Sequence, residues 1–329
     1  MRHPPGLKTR PTYVPINSSK LRKSSSGGPQ RAYGAGVFVK MYEQFYGLQT
    51  RPFELSPDPR FLLLTRGHRE ALSTLQYALS GRKGVSLLVG DAGTGKTTLI
   101  YAALASLESN RLTVFLSNPA LTRDEFFEFL VDGFQMPPET AGSKTRFLLS
   151  LRKLLTERPP EDGIAALIID EAQSLSDALL EEVRLLANIE TATDKLLSII
   201  LVGQPELAER LNQPSLRQIK QRLGLRCALA PLDVRETSAY IATRVQVAGA
   251  DWKRLFRPSA IETIYERSGG IPRTISVICD NSLVAGFALD RCPIDSDIVM
   301  EVCRDLDLLG GEDVIGPATV LPLIDGSGA

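Results

Sequence analysis

Apolar residues fall into two patterns along this chain. Four continuous runs, Val85-Ser86-Leu87-Leu88-Val89, Leu112 to Leu116, Ala165 to Ile169 and Leu196 to Val202, are of the kind buried on both faces of a parallel sheet. Between them the spacing is helical. Ala71, Leu72, Leu75, Ala78 and Leu79 share one face from His68 to Ser80, and Leu179, Leu180, Val183 and Leu186 follow a Ser176 cap. Helices are also predicted over 98–104, 122–134 and 143–157, the last two divided by Pro137-Pro138. A shorter fifth strand is expected from Arg226 to Ala230. Strands alternating with helices predict an α/β fold built on a doubly wound, five-stranded parallel sheet.

From Leu232 the strand pattern stops. Asp233 and Glu236 are spaced as a capping box, Pro258 opens a helix that Gly269-Gly270 ends, and Pro272 sits in the first turn of the next. A last helix is expected over 296–306. The chain therefore divides into an α/β unit over 41–231 and an all-helical unit over 232–308, with a loose Gly- and Pro-containing tail over 309–329. Residues 41–64, with Tyr42, Phe45, Tyr46, Phe53 and Phe61 among turn residues, read as an ordered arm lying across a domain.

Composition adds a charge asymmetry. Lys and Arg balance Asp and Glu at 38 each, but residues 1–40 hold eight basic residues and no acid, so the remainder is mildly acidic. That balance does not favour a nucleic-acid-coating domain. The Pro-, Ser- and Gly-rich segment 1–40 is expected to be disordered. It reads as a polybasic tail, a targeting segment, or sequence upstream of a start at Met41. Cys227, Cys279, Cys292 and Cys303 lack metal-ligand spacing and are read as core thiols of a reducing cytoplasm. No apolar run approaches a membrane span.

The chemistry centres on Gly90-Asp91-Ala92-Gly93-Thr94-Gly95-Lys96-Thr97, a complete phosphate loop between a predicted strand and a predicted helix. Glycines let successive N–H groups turn toward phosphate oxygens, and the following helix, with Thr98 in its first turn, adds the positive end of its dipole. Lys96 is expected on the β and γ phosphates of ATP and Thr97 on Mg²⁺. The aromatic arm leading into the first helix could border the adenine. Ile169-Asp170-Glu171 puts two carboxylates at the end of a buried strand, the sheet edge where ligands bind. Asp170 suits the Mg²⁺ shell, and Glu171 suits polarising the water that attacks the γ phosphate. Gln204 ends the next strand at the same edge and could hydrogen-bond that water. A helix-start role is expected for His68.

These residues together make the chain resemble an AAA+ ATPase. More narrowly, Tyr46-Gly47-Leu48, Pro52-Phe53, Pro57-Asp58-Pro59, His68 to Leu72, Asp170-Glu171-Ala172-Gln173, Val202 to Leu207 and Gly269 to Arg273 resemble the general secretion pathway protein A family. That family includes ATPases of type II secretion and of exopolysaccharide or exosortase loci. The resemblance implies that Arg273 is the lid arginine contacting the γ phosphate in cis. It implies that Arg222, with Arg217 as rival, is a finger acting on a neighbour in a homo-oligomer, while Arg226 reads as structural. It implies a cytoplasmic ATPase, peripheral to the inner membrane through partners, serving secretion or export machinery. Longer members continue into a membrane span and a peptidoglycan-binding domain, which puts a cell-wall role in doubt here. The alternatives are a DNA-associated helper of the transposition-accessory type and a nucleotide-dependent interaction switch.

Overall fold

Five strands, β1 (Val85–Gly90), β2 (Thr113–Leu116), β3 (Ala165–Ile169), β4 (Leu197–Gly203) and β5 (Leu223–Leu229), form one sheet in the order β2-β3-β4-β1-β5. Every pairing is parallel, as the buried runs predict. In this computed structural model the described residues are 42–55, 59–80, 84–106, 112–159, 165–192 and 194–308. The basic segment 1–40, Met41, Pro57-Asp58, the Gly81–Lys83 turn and the tail from 309 lie outside them.

Side chains alternate faces along a strand, so each central strand feeds two cores. Ala166 and Ile168 of β3, Ile200 and Val202 of β4 and Leu88 of β1 pack with helices α1 (Arg66–Ser80) and α2 (Lys96–Ala105). Leu167, Ile169, Ile199, Leu201 and Leu87 face the opposite layer. That layer holds α3 (Arg123–Gly133), α4 (Lys144–Thr156), α5 (Asp177–Leu186), α6 (Pro205–Arg210) and α7 (Arg217–Lys220). Ser176 caps α5 by accepting from the Leu179 N–H at 3.2 Å.

β5 departs from expectation by starting three residues early. Its half-buried Leu223, Leu225 and Cys227 alternate with exposed Gly224, Arg226 and Ala228. This period-two pattern belongs to an edge strand with one covered face, and it lacks the continuous apolar signal of the central strands.

Beyond β5 the chain is helical: α8 (Val234–Val247), α9 (Trp252–Leu255), α10 (Pro258–Ser268), α11 (Pro272–Ala288) and α12 (Ser296–Asp305). The Asp233–Glu236 capping box forms, and Gly269 closes α10 in the left-handed region. The aromatic arm lies on the helical unit. Tyr42, Tyr46, Leu48, Phe53 and Phe61 join one core with Ile241, Val245, Phe256, Ile275 and Cys279 of the helical unit. Phe53 meets Phe256 edge-on at 6.1 Å, Tyr42 donates its hydroxyl to Asp280, and Tyr46 donates to the Leu283 carbonyl at 3.1 Å. Each buried aromatic contributes roughly 1.5–3 kcal/mol, enough to recruit the arm as a further layer.

One backbone hydrogen bond joins the helical unit to the phosphate loop, from the Arg273 N–H to the Gly93 carbonyl at 3.2 Å, while inside the helical unit the Leu232 N–H donates to the Gly270 carbonyl at 2.8 Å. Among the described residues no helix is long and apolar enough to cross a membrane. All four cysteines are free. Cys279 and Cys303 are buried as expected, whereas Cys227 is half-buried and Cys292 exposed.

Candidate nucleotide site

β1 delivers the phosphate loop from a fully buried strand. At Gly90 a Cβ would meet the Leu229 carbonyl oxygen at 2.8 Å and Thr94 Oγ1 at 2.9 Å, so this close approach requires glycine. Gly93 and Gly95 take φ of 82° and 92°, which only glycine adopts without strain. The loop is braced from within, because the Thr94 N–H and hydroxyl both donate to the Asp91 carbonyl, at 3.3 and 2.8 Å. Ala92 is exposed at the tip.

Lys96 opens α2 and is buried, its Nζ donating to the Gly90 and Asp91 carbonyls at 2.8 and 2.9 Å. Burial pushes the ammonium pKa down, and the Glu171 and Asp170 carboxylates push it back up. The cation is thus pre-positioned in a site of low polarity with acids nearby.

His68 is more than a helix-start residue. Its buried ring bridges Thr65 Oγ1 (Nδ1, 2.9 Å) and the Thr94 carbonyl (Nε2, 3.4 Å), which ties α1 to the phosphate loop. Burial lowers its pKa, partly offset by the Thr94 bond and the Glu236 charge.

At the end of β3 the Thr97 hydroxyl donates to Asp170 Oδ2 at 2.7 Å, and Asp170 Oδ1 accepts from the Glu171 N–H at 3.0 Å. A hydroxyl and a carboxylate this close form an all-oxygen donor set that suits a hard cation such as Mg²⁺. Glu171 itself sits at φ 51°, a conformation costly for a residue with a side chain and found preferentially at functional sites. Its Oε2 accepts from Gln173 Nε2, and Gln173 Oε1 accepts from the Gln204 N–H at 3.2 Å. Gln204 is half-buried at the start of α6, so its link to Glu171 runs through Gln173.

One cavity of about 440 Å³ brings together Lys96, Thr97, Glu171 and His68, whereas Asp170, Gln173 and Gln204 are not among its lining residues. Gly93 to Thr98, Glu171 and His68 line it together with Pro272 and Arg273 of α11, the Arg273 N–H reaching the Gly93 carbonyl. Leu55, Phe61, Leu62 and Leu63 of the arm, with Leu232 and Tyr240, form an apolar wall. A lining that combines Lys96 and Arg273 beside the phosphate loop with apolar residues suits a nucleotide. Arg244, buried and itself part of the lining, donates to the Pro52 and Glu54 carbonyls at 2.6 and 2.9 Å and to Tyr240 Oη at 2.9 Å. Tyr240 Oη in turn lies 2.8 Å from Ser276 Oγ.

Arg222 and Arg217 stand elsewhere, both exposed. Arg222 precedes Leu223, which pairs with Val85 at the far end of β1, whereas Gly90 pairs with Leu229. A seven-residue strand separates Arg222 from its own phosphate loop, about 20 Å at the usual rise. It cannot serve the cavity of its own chain.

Sequence reasoning missed Gln173, His68 as a brace, and Arg244. Gln173 lies two residues beyond Glu171, where its spacing was a usable signal. Arg244 bonds to carbonyls some 190 positions away, which no local pattern encodes.

Comparison with known proteins agrees with this geometry. Residues 79–211 match a family described as an AAA domain. The general secretion pathway protein A of Aeromonas hydrophila is 42% identical over 249 residues, 75% of this chain and 45% of that protein. The chain therefore spans less than half the length of this relative. Among solved structures, the ORC2 protein of Aeropyrum pernix in its ADPNP-ADP complexes aligns with a TM-score of 0.58 at 19% identity, over 78% of this chain and 71% of that one. The Drosophila ORC bound to DNA aligns with a TM-score of 0.62 at 17% identity, over 86% and 70%. At that identity the likeness concerns the fold.

Proposed function

The chain belongs to the AAA+ P-loop proteins related to general secretion pathway protein A, and we propose that it binds ATP with Mg²⁺ and hydrolyses it to ADP and phosphate. The observation that carries this reading is the convergence of Lys96 and Thr97 of α2, Glu171 after β3 and Arg273 of α11 on one cavity. Gly93 to Thr98 would hold the phosphates through backbone N–H groups, with Lys96 neutralising the β and γ oxygens. Thr97 and Asp170 would hold Mg²⁺, which supplies charge neutralisation on the phosphates when bound. Glu171 would accept a proton from the attacking water, and Gln204 would help orient that water. Arg273 would sense the γ phosphate from α11, so that the lid position follows nucleotide state. Arg222 would reach a neighbour's site in a homo-oligomer, a reading supported by its distance from the cavity of its own chain.

The relative's name supports a role in a secretion assembly; a cytoplasmic place, peripheral to the inner membrane through partners, is part of the same proposal. The test of the chemistry is a pair of variants. Lys96→Ala should lose ATP binding in equilibrium titration. Glu171→Gln should bind ATP normally while phosphate release falls by about 10²-fold or more. Unchanged turnover in Glu171→Gln would refute the assignment.

A further inference from the structure

The side chain of Gln173 stands between the two functional strand ends, and both ends of its amide are engaged. Nε2 donates to Glu171 Oε2, and Oε1 accepts from the Gln204 N–H at 3.2 Å. Its backbone is fixed as well, because Arg210 donates to the Gln173 and Leu175 carbonyls at 3.0 and 2.6 Å and pairs with Asp177. The surface beneath it is shaped for it, since a Cβ on Gly203 would come within 2.7 Å of Gln173 Oε1 and 2.8 Å of Leu207 Cδ2. A carboxylate has two oxygens and a rotatable bond. On an unusual backbone at φ 51°, nothing intrinsic to Glu171 decides which oxygen faces the cavity.

We infer that Gln173 is the positioning residue for Glu171, holding Oε2 by its amide N–H so that Oε1 is the oxygen turned toward the reacting water, with the Gln204 turn as the fixed end of the support. The inference rests on the proposed hydrolysis for its catalytic meaning. Its structural half stands independently of turnover. A single hydrogen-bond donor used this way confers orientation, and misplacing a catalytic base costs rate more than binding.

Two variants separate the two ends of the amide. Gln173→Met keeps the length and loses both hydrogen bonds. Gln173→Glu keeps an oxygen that accepts from the Gln204 N–H but replaces the donor toward Glu171 with a second carboxylate. Three quantities are measured on the full chain: ATP dissociation constant, steady-state kcat, and hydrogen exchange of the Gln204 amide without nucleotide. Gln173→Met should leave ATP affinity within about twofold, lower kcat by about 10- to 100-fold, and speed Gln204 exchange. Gln173→Glu should lower kcat at least as far while Gln204 stays protected.

If Gln173 merely braced the 203–205 turn, Gln173→Glu would hydrolyse ATP like the unmodified chain, and the inference would fall. A rise in kcat in either variant would show Gln173 to be a restraint on Glu171 and would also overturn it. Unchanged Gln204 exchange in Gln173→Met would remove its structural basis even if the unmodified chain released no phosphate. That last case would refute the hydrolysis reading separately.

Discussion

Gly270, just past the end of α10, packs directly on the backbone of Leu232 at the start of the helical unit, and its substitution by alanine should be far more damaging than the same change one residue earlier. Gly269 and Gly270 both take positive φ, 57° and 73°. An alanine at either site incurs about 1 kcal/mol for the left-handed conformation. At Gly269 a Cβ meets nothing within 4 Å, so the cost ends there. At Gly270 the same Cβ would lie 2.0 Å from the Leu232 carbonyl oxygen, with Leu232 C and N at 3.0 and 3.1 Å. All three are backbone atoms, held by the Leu232 N–H to Gly270 carbonyl bond, so no side chain can swing aside. Overpacking of this kind adds about 1–3 kcal/mol, for a total of about 3 kcal/mol. For a unit of this size about 1 kcal/mol moves Tm by roughly 3 °C, so Gly269→Ala should lose about 3 °C and Gly270→Ala about 10 °C. Differential scanning calorimetry of the two variants side by side reads this directly. Because Arg273 follows three residues later, Gly270→Ala should also weaken ATP binding, while Gly269→Ala should leave it nearly intact. Equal Tm losses would refute the steric reasoning.

Two further outcomes follow from charge and placement. Arg222→Ala should cut turnover by about 10³-fold with ATP affinity retained, and mixing it with Lys96→Ala subunits should restore part of the rate. A mixture no more active than its separate components would argue against a finger in trans. For His68, burial depresses the folded pKa below the ordinary value of 6.5. The unfolded chain then binds the extra proton first, so His68 contributes full stability above about pH 6.5 and loses it as pH falls toward the lowered folded value. Urea midpoints measured from pH 8 to pH 5 should fall less steeply in His68→Gln, and parallel curves would count against the assignment.

How much of this was legible in the sequence depended on how local the cause was. The central strands were readable because both faces of each are buried, which forces continuous apolar runs. β5 was read too short because its Leu223, Leu225 and Cys227 alternate with exposed positions, as an edge strand with one covered face requires. Caps at Ser176 and Asp233 were readable because their partners lie three residues away. The phosphate loop and Asp170-Glu171 were readable because phosphate and metal chemistry restrict both residue type and spacing. The hydrogen bonds that orient them were not. Gln173 could be placed beside Glu171 by spacing, but its second bond depends on β4 lying next to β3, a fact of topology.

The arm is the clearest case, and it alters how the site must be understood. Its aromatics signalled burial without signalling against what. Arg244 shows the answer in physical terms. A guanidinium buried in α8 satisfies its donors on the Pro52 and Glu54 carbonyls and on Tyr240, and it stacks 4.9 Å from the Phe61 ring. Unmaking those bonds would strand a buried charge, which costs more than the bonds themselves contribute. Arm and helical unit therefore behave as one body. The apolar wall at Leu55, Phe61 and Leu63 and the cation at Arg273 are carried together, opposite a phosphate loop and Glu171 carried by the sheet. The cavity is divided between two bodies joined by the Gly93–Arg273 backbone bond. A ligand spanning it touches both, so the strength of that junction sets how far binding can be coupled to lid position.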